Sequence, residues 1–406
     1  MKQAQEDFTL ATEQWLKTAP LGLRQSNGQY MTPSILRTHL LDRLDIFDGA
    51  RILDPGVGTG EFLRQAREMR EDLELVGWDI DPGILSVARE NVPGAKLENR
   101  SALDPYEGPL FDFVIGNPPY FEMKPTKEVR DQFESVISGR ANIYALFFQV
   151  GLSALKPGGV LAYVVPPSMN AGAYFKGLRN FICEGNAVEY IKVFTASDLF
   201  HDAQTSVQII VIRKGSTDKG RHVLRLKVGK RDESLFFEDP ARISELFDKK
   251  QSLWDLGYEA TTGTVVWNQF KDDLNNLSDE HSIPLYYPRN LENGMVQLKS
   301  DPKKPQYLNS SKPKRTKGPA VLVNRIIGGV GKGQISAALV LSTEEFFAEN
   351  HLNVIRARAD ADQKISLEKV FEQINRPETL NAARLITGNT QLSATEWNYL
   401  IPFSLR

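Results

Sequence analysis

Apolar runs and helix-like segments alternate through the first half of the chain, and the first run ends in a turn rich in glycine. "ARIL" (50–53) leads into "DPGVGTG" (54–60), and "GEFLRQAREMRED" after it has helical spacing. Five further strand candidates follow it, namely "LELVGWDID", "FDFVIGNPPY", "GGVLAYVVP", "AVEYIKVF" and "TSVQIIVIRK". They are apolar almost throughout, as strands are when helices cover both faces of a sheet. The pattern predicts an α/β fold with a doubly wound, Rossmann-like sheet.

The pattern changes near residue 240. Short strand candidates and many turns follow, with a Lys-, Ser- and Pro-rich stretch and helix candidates at "ISLEKVFEQIN" and "PETLNAARLI". A chain of 406 residues is long enough for two domains that each bury a core. We therefore expect a first domain over residues 1–240 and a second, α+β domain over residues 241–406.

Composition excludes several classes of protein. Charged residues make up 25% of the chain and apolar residues 41%, which is typical of a globular protein. The N-terminal segment lacks the apolar core of a signal peptide, and no uncharged run is long enough for a membrane helix, so we expect a cytoplasmic protein. The single cysteine, Cys183, excludes an internal disulfide and a multi-cysteine metal site, and we expect no metal.

The glycine-rich turn indicates a ligand pocket. In an open α/β sheet, ligands bind at the first strand-to-helix turn, where glycines let the backbone come close to them. NAD, FAD and S-adenosylmethionine proteins all have such a turn, but "DPGVGTG" does not fit the dinucleotide spacing G-x-G-x-x-G. Asp54, before the first glycine, would repel a pyrophosphate and suits the cationic amino-acid end of S-adenosylmethionine. The turn therefore favours S-adenosylmethionine as the ligand.

A second acid, Asp79, closes the next strand candidate. At that place a carboxylate can accept hydrogen bonds from the two ribose hydroxyls of an adenosyl group. Ile80 beside it is placed to pack on the adenine face. The alternative is that Asp79 and Asp81 only cap the helix that follows.

The tetrapeptide Asn117-Pro118-Pro119-Tyr120 follows "FDFVIG" at the same edge of the sheet. Two prolines fix the backbone and donate no hydrogen bonds, so nearby oxygens can act as fixed acceptors. If the side-chain oxygen of Asn117 and the carbonyl oxygen of Pro118 each accept one N–H of an aromatic amine, its nitrogen is drawn toward a tetrahedral shape and becomes a better nucleophile. Tyr120 offers a surface on which a planar base, rotated out of its duplex, can stack. The alternative is a proline turn with a core tyrosine.

"LDPGVGTGEF", "VGWDIDP" and "NPPY", in this order, resemble the methyltransferases that modify adenine N6 in DNA. "GQYMTP" (28–33) lies before the glycine-rich turn, as in the gamma class with its TaqI-type enzymes. The resemblance implies that Thr32 and Tyr30 close over the methionine end of the cofactor, and that Phe200 covers the target base opposite Tyr120. Where the family usually has an aspartate that contacts the cofactor adenine, this chain has Ser101, with Asp104 nearby.

The second half resembles the TaqI-type recognition domain in "YYPRNLENGMVQL", "GPAVLVNRIIGG" and "NHLNVIRA". This implies that residues 241–406 form a target-recognition, DNA-binding domain. With DNA as the substrate, basic residues of this half become candidate phosphate contacts, the alternative being a solvated loop. These residues are Lys312, Lys314, Arg315, Lys317 and Arg325.

The resemblance implies a site-specific methyltransferase that moves a methyl group from S-adenosylmethionine to adenine N6 of a flipped-out base in double-stranded DNA. It would be the modification enzyme of a restriction-modification system, a monomer on DNA, with a separate restriction endonuclease for the same site. The alternatives are an Asn-Pro-Pro-Tyr methyltransferase acting on a release-factor glutamine or an RNA base, and an inactive DNA-binding relative. The predicted catalytic residues are Asn117, Pro118, Pro119 and Tyr120, the stacking residues are Tyr120 and Phe200, and the cofactor-binding residues are Tyr30, Thr32, Asp54, Pro55, Gly56, Gly58, Asp79, Ile80 and Asn117.

Overall fold

The chain divides into two compact units, Met1–Pro240 and Ala241–Arg406. The structure, a computed structural model, describes all residues except 1–6, 21, 23–29, 140, 195–205, 217–219, 229–230, 279–281, 300, 302, 326–333, 388–391 and 406. Among the described residues, no helix combines the length and the apolar character that crossing a lipid bilayer requires.

The first unit alternates strands and helices. Its helices are α1 (Leu10–Thr18), α2 (Ser34–Leu41), α3 (Glu61–Met69), α4 (Pro82–Asn91), α5 (Lys127–Gln132), α6 (Ile143–Ala154) and α7 (Lys176–Cys183), with 3₁₀ turns at Pro167–Met169 and Ala173–Phe175. Its strands are β1 (Arg51–Asp54), β2 (Glu74–Asp79), β3 (Lys96–Asn99), β4 (Phe111–Gly116), β5 (Glu122–Met123), β6 (Ala141–Asn142), β7 (Leu155–Val165), β8 (Asn186–Phe194), β9 (Val207–Lys214), β10 (Val223–Val228) and β11 (Arg231–Phe236).

Seven of these strands form one mixed sheet in the order β3-β2-β1-β4-β7-β9-β8. The strands from β3 to β7 are parallel, whereas β9 runs antiparallel to both β7 and β8. From β1 the chain moves outward to β2 and β3, then returns to β4 on the other side of β1. The direction therefore reverses between β1 and β4, which opens a crevice at their carboxyl ends. The predicted doubly wound α/β sheet is confirmed.

Helices cover both faces of the sheet because its strands are apolar on both sides. Along β4, Phe111 and Val114 belong to one buried cluster with residues of α6 and α7, whereas Phe113 and Ile115 belong to a second cluster with residues of α2, α3 and α4. From Phe113 to Ile115 the side chains alternate between the two clusters as the pleat of a strand requires, whereas Phe111 lies before the register shift in the pairing of β4 with β7. Strand β3 was missed by the pattern of apolar runs because "KLEN" is short and polar.

The segment "KPGG" (156–159), whose composition is typical of a turn, lies inside strand β7. The register of β7 on β4 shifts between the pairs Phe111–Leu155 and Phe113–Val160, so the four residues form an irregularity in a continuous strand. The strand candidate "GGVLAYVVP" is therefore the regular second part of β7.

In its described residues, the second unit has short strands and four helices. The helices are α8 (Pro240–Leu246), α9 (Leu367–Ile374), α10 (Pro377–Thr387) and α11 (Ala394–Tyr399), with 3₁₀ turns at Trp267–Gln269, Lys271–Asp273 and Pro288–Asn290. The strands are β12 (Lys250–Ser252), β13 (Tyr258–Thr262), β14 (Leu274–Asn275), β15 (Ile283–Tyr286), β16 (Leu291–Glu292), β17 (Met295–Val296), β18 (Tyr307–Leu308), β19 (Thr316–Lys317), β20 (Ala320–Asn324), β21 (Ala337–Val340), β22 (Glu345–Ala348), β23 (Leu352–Ala357) and β24 (Pro402–Ser404).

Two sheets organise this α+β unit. One is antiparallel, in the order β13-β23-β20-β21, and the other is mixed, in the order β14-β18-β15-β22-β19. Helix α11 is attached to the first sheet by Asn398, whose side chain accepts from the Ala260 N–H at 2.6 Å and donates to the Ala260 carbonyl oxygen at 3.0 Å. The helices predicted near "ISLEKVFEQIN" and "PETLNAARLI" correspond to α9 and α10.

Candidate active site

A cavity of about 500 Å³ lies at the carboxyl ends of the parallel strands, beside the point where the strand order reverses. This volume is within the roughly 300–1,000 Å³ that is typical of small-molecule sites. The predicted residues on its wall are Tyr30, Pro55, Gly56, Gly58, Asp79, Ile80, Asn117 and Pro119. The sequence motifs therefore converge on one cavity, although they are separated by up to about 90 positions in the chain.

The glycine-rich turn forms one wall, and Gly56 is needed there for close packing. A Cβ atom built on Gly56 would lie 3.3 Å from the ring of Phe147, a residue of α6 that also lines the cavity. Phe147 is a site residue that the sequence reasoning missed, because its place within a long apolar helix resembles that of any core phenylalanine. A side chain at position 56 would therefore press on Phe147, which lines the same cavity.

Asp54 lies behind the turn instead of on the cavity wall. It is buried, and its Oδ1 accepts a hydrogen bond from the Gly56 N–H at 3.1 Å. Burial, together with the nearby charge of Asp79, raises the pKa of Asp54 to about 7, while the hydrogen bond from Gly56 opposes the rise. The carboxylate therefore supports the shape of the turn and is sensitive to added positive charge nearby.

Gly116, the residue before the tetrapeptide, lets β4 pass close to Asp54. Its φ is +142°, and a Cβ atom at this position would lie 2.5 Å from Oδ1 of Asp54. Only glycine fits this combination of backbone conformation and contact. Sequence reasoning did not single out Gly116, although its place directly before Asn117 was a usable signal.

Asp79 faces the cavity with both carboxylate oxygens oriented by the backbone. Oδ2 accepts from the Gly58 N–H at 3.0 Å and Oδ1 accepts from the Asp81 N–H at 2.9 Å, while burial raises the pKa of Asp79. The helix-capping role belongs to Asp81, whose side chain accepts from the Gly83 and Ile84 N–H groups at the start of α4. Ile80 beside it is 70% exposed, which leaves its side chain available to a ligand.

The Asn117 side chain has a defined orientation. Its Nδ2 donates to the Tyr30 carbonyl oxygen at 3.1 Å and to Oγ1 of Thr32 at 2.9 Å. Because a carbonyl oxygen can only accept, the amide must turn its Oδ1 away from Tyr30, toward the Tyr120 hydroxyl. Pro118 is buried, and within the described part of the chain no donor reaches its carbonyl oxygen.

Tyr120 is anchored through its hydroxyl. That group donates to the Val164 carbonyl oxygen at 2.8 Å, and Oδ1 of Asn117 is a second acceptor within its reach. Burial raises the pKa of Tyr120 well above its usual value, so the hydroxyl keeps its proton as a donor. The ring meets Tyr144 at an interplanar angle of 86°, with 6.1 Å between ring centroids. The ring of Tyr120 is thus held by the hydrogen bond of its hydroxyl group and by its contact with the Tyr144 ring.

Thr32 is held in place by Arg37, which the sequence reasoning also missed. Nη1 of the buried Arg37 donates to the Thr32 carbonyl oxygen, and Nη2 lies 3.5 Å from a carboxylate oxygen of Glu61. Glu61 is the first residue of α3, directly after the glycine-rich turn. This chain of contacts links the turn to Thr32 and, through Thr32, to Asn117.

Ser101 and Asp104 were candidates for the contact with the cofactor adenine, and Phe200 was the candidate for covering the target base. Ser101 lines the cavity, and its Oγ accepts from the Leu103 N–H at 3.1 Å, whereas Asp104 is absent from the cavity wall. Arg100 also lines the cavity, with its guanidinium 4.5 Å from the ring centroid of Trp78. Phe200 lies outside the described residues.

The basic residues of the second unit differ in how much they are already paired. Lys312 and Lys314 are exposed, and neither has an ion-pair partner among the residues that the structure describes. Arg315 lies 2.9 Å from a Glu345 oxygen and Lys317 lies 3.9 Å from the other. Arg325 is half-buried, and its Nη1 donates to the Asn350 carbonyl oxygen at 3.0 Å.

The seven-stranded sheet, the glycine-rich turn after β1 and the acid at the end of β2 define the class of protein. It is an S-adenosylmethionine-dependent methyltransferase of class I, Rossmann-like fold, and this fold implies S-adenosylmethionine as the methyl donor. Within the described ranges, no group of three or more His, Cys, Asp or Glu side chains is arranged to hold a metal ion.

Residues 75–200 match the Eco57I restriction-modification methylase family. The type II methyltransferase M.CvrRI of Paramecium bursaria Chlorella virus XZ-6E is 27% identical, over 82% of this chain and 83% of its own. The type II methyltransferase M.BsuBI of Bacillus subtilis is 23% identical, over 91% of this chain and 86% of its own. The comparisons therefore support a methyltransferase of the restriction-modification type, in agreement with the resemblance inferred from the motifs.

A solved structure is also similar in part. The type I restriction-modification methyltransferase subunit from Streptococcus thermophilus is 21% identical, with a TM-score of 0.42, and the match covers 54% of this chain and 52% of that chain.

Proposed function

We propose that the protein transfers a methyl group from S-adenosylmethionine to N6 of an adenine that is rotated out of duplex DNA, as the modification enzyme of a restriction-modification system. The alternative substrates are other planar amines or amides. The observation that carries the proposal is the Asn117 amide, which lines the cavity and is held in one orientation by Tyr30 and Thr32. Modification enzymes among the similar proteins support DNA as the substrate.

Asn117 and Pro118 would act on the target amine as acceptors. Oδ1 of Asn117 has two lone pairs, so it can accept an N–H of the amine while it remains near the Tyr120 hydroxyl. The Pro118 carbonyl oxygen would accept the second N–H. Two fixed acceptors favour a tetrahedral nitrogen whose lone pair is free, and no side chain has to take up a proton before the methyl transfer.

The volume of the cavity and the polarity of its lining suit the methyl donor. Asp79 offers oriented carboxylate oxygens for hydroxyl groups, Ile80 offers an apolar surface, and the lack of a side chain at Gly56 leaves the backbone open to close approach. When bound, S-adenosylmethionine supplies a methyl group on a positively charged sulfur. Thr32 and the Tyr30 backbone would fix Asn117 relative to that group.

Tyr120 would hold the target base by stacking. Its ring is fixed by the hydrogen bond to Val164 and by its contact with Tyr144, so little conformational entropy is lost when a base binds. Base flipping costs a few kcal/mol, and stacking on an aromatic ring offsets part of this cost.

The second unit would be the target-recognition domain. Lys312 and Lys314 are its best candidates for phosphate contacts because they are exposed and carry charge that no described carboxylate offsets. Arg315 and Lys317 already share Glu345, and the guanidinium of Arg325 already binds a backbone oxygen of its own unit. The protein would act on DNA as a monomer, with a separate endonuclease for the same site.

Product analysis tests the proposal. The protein is incubated with S-adenosylmethionine that carries a labelled methyl group and with duplex DNA of mixed sequence, and the nucleosides are then separated by mass spectrometry. We expect the label in N6-methyladenine alone, at one sequence motif that long-read sequencing identifies. Label in cytosine, or no label in DNA when RNA or protein in parallel incubations is labelled, would contradict the proposal.

A further inference from the structure

Two tyrosine rings lie face to face beside Asn117. The ring centroids of Tyr30 and Tyr120 are 6.2 Å apart, and the ring planes are within 17° of parallel. Tyr30 also lines the cavity, and its carbonyl oxygen accepts the hydrogen bond from Nδ2 of Asn117. The acceptor proposed for the target amine therefore lies next to both rings.

The two rings differ in freedom. Tyr120 is held through its hydroxyl by the Val164 carbonyl oxygen. The side chain of Tyr30 is 49% exposed, and its hydroxyl has no hydrogen-bond partner among the described residues. A displacement of the Tyr30 ring breaks no hydrogen bond within the described part of the chain, whereas a displacement of Tyr120 breaks at least one.

A planar base does not fit between the two rings as they stand. It needs about 7 Å between the ring planes, because each stacked face requires about 3.5 Å between carbon atoms. The ring centroids are 6.2 Å apart, which is an upper bound on the separation of the planes. The exposed Tyr30 ring must therefore move outward to admit a base, and it can do so while the Tyr30 backbone continues to hold Asn117.

We propose that Tyr30 is a stacking surface for the target base on the face opposite Tyr120, the face for which the family resemblance implies Phe200, a residue that lies outside the described part of the chain. This inference rests on the proposed function and deepens it. The side chain of Tyr30 contacts the base, and its carbonyl oxygen fixes the amide that receives the amine. One residue thereby couples the position of the base to the position of Asn117.

Three variants test the role of the ring: Tyr30→Ala, Tyr30→Phe and Tyr30→Leu. All three keep the backbone oxygen, so the support of Asn117 remains. The substrate is a duplex oligonucleotide that carries the motif mapped for the wild-type protein, and single-turnover methyl transfer is measured. We expect Tyr30→Ala to slow transfer roughly 5- to 100-fold, the range for loss of one stacked aromatic. We expect Tyr30→Phe to transfer the methyl group at the wild-type rate, because it keeps the aromatic ring. We expect Tyr30→Leu to be nearly as slow as Tyr30→Ala.

A second substrate separates stacking from a structural role. When the target adenine is mismatched, flipping costs less, so the loss of one stacking surface should reduce the rate less than on the paired duplex. The affinity for S-adenosylmethionine should stay near the wild-type value. The matched control is Tyr174→Ala, since Tyr174 is 52% exposed in the same unit and does not line the cavity.

The outcomes separate this inference from the proposed function. If the wild-type protein methylates adenine and Tyr30→Ala does so at the same rate, only the role of Tyr30 is wrong. A loss of cofactor affinity that accounts for the slower rate would assign the ring to the cofactor and overturn the inference. Rescue by leucine equal to rescue by phenylalanine would also overturn it. A wild-type protein that methylates no base at all contradicts both proposals.

Discussion

The corner of the first unit formed by Asn117 and Tyr120, where we propose catalysis, and the basic segment 312–317 of the second unit are organised in opposite ways. In the corner, Asn117 and Tyr120 are fixed by several hydrogen bonds to groups that are distant in sequence. In the segment, Lys312 and Lys314 are exposed and unpaired within the described residues, and Arg315 is bound only to Glu345. Chemistry on a single amine requires fixed distances, whereas attraction to a polyanion requires only charge at the surface. Mutation, pH and salt should therefore affect the two regions differently.

The largest effect is expected for Asn117→Ala. Loss of one preorganised acceptor should lower the single-turnover rate of methyl transfer by about 100- to 1,000-fold. The affinity for S-adenosylmethionine should change little, because the cavity keeps Asp79 and the glycine-rich turn. Calorimetric titration of the cofactor, together with the rate measurement, checks both expectations.

A matched control for this variant is Asn276→Ala, an exposed asparagine of the second unit. It should leave the rate and the cofactor affinity unchanged. Near-normal turnover in Asn117→Ala would show that the amide takes no part in the mechanism. The difference between the two regions would then not reflect a need for fixed distances in the first unit.

Gly116→Ala should disturb the same corner through its support. The new methyl group would meet Oδ1 of Asp54 in a backbone conformation that disfavours any side chain, at a cost of about 1–3 kcal/mol in the free energy of unfolding. The movement of Asp54 should also weaken cofactor binding. Chemical denaturation and cofactor titration measure the two effects.

Gly49→Ala separates strain from contact in that experiment. Gly49 has a φ of +78°, but a Cβ atom there meets nothing within 4 Å. Gly49→Ala should therefore lower the free energy of unfolding through backbone strain alone and leave the cofactor affinity unchanged. If Gly116→Ala and Gly49→Ala lowered the free energy of unfolding and the cofactor affinity equally, the contact with Asp54 would be unimportant.

The double variant Lys312→Ala/Lys314→Ala should affect the second unit alone. Each phosphate contact contributes about 0.9 to the slope of log affinity against log salt, so the slope should fall by nearly 2, and DNA binding at low salt should weaken roughly tenfold or more. Arg315→Ala should change the slope less, because Arg315 is already paired with Glu345. Methyl transfer at saturating DNA should stay near normal. An unchanged slope in the double variant would place the DNA contacts elsewhere.

Sequence reasoning located site residues correctly where their type is unusual for the local structure, such as glycines, acids and prolines directly after an apolar strand. The glycine-rich turn, Asp79 and the Asn-Pro-Pro-Tyr motif each follow a strand, and parallel strands end at one edge, so their convergence on one cavity was predictable. Phe147 and Arg37 were not predictable, because their importance depends on what each one touches across the fold, whereas Gly116 was missed although it directly precedes Asn117. Strand β3 was missed because its four residues lack an apolar pattern.

The smallest effect concerns pH and should appear only in the first unit. Because the pKa of Asp54 is raised to about 7, its carboxyl is largely protonated at pH 6 and gains charge as the pH rises. A ligand with a cationic amino-acid end should therefore bind several-fold more tightly at pH 7.5 than at pH 6 if it lies near Asp54. Asp54→Asn should remove this dependence, since its amide does not titrate, whereas the pH dependence of DNA affinity in the second unit should be the same in both proteins. Calorimetric titration of the cofactor across this range measures the difference. An equal pH dependence in wild type and variant would show that the buried carboxyl shapes the turn without sensing the ligand's charge.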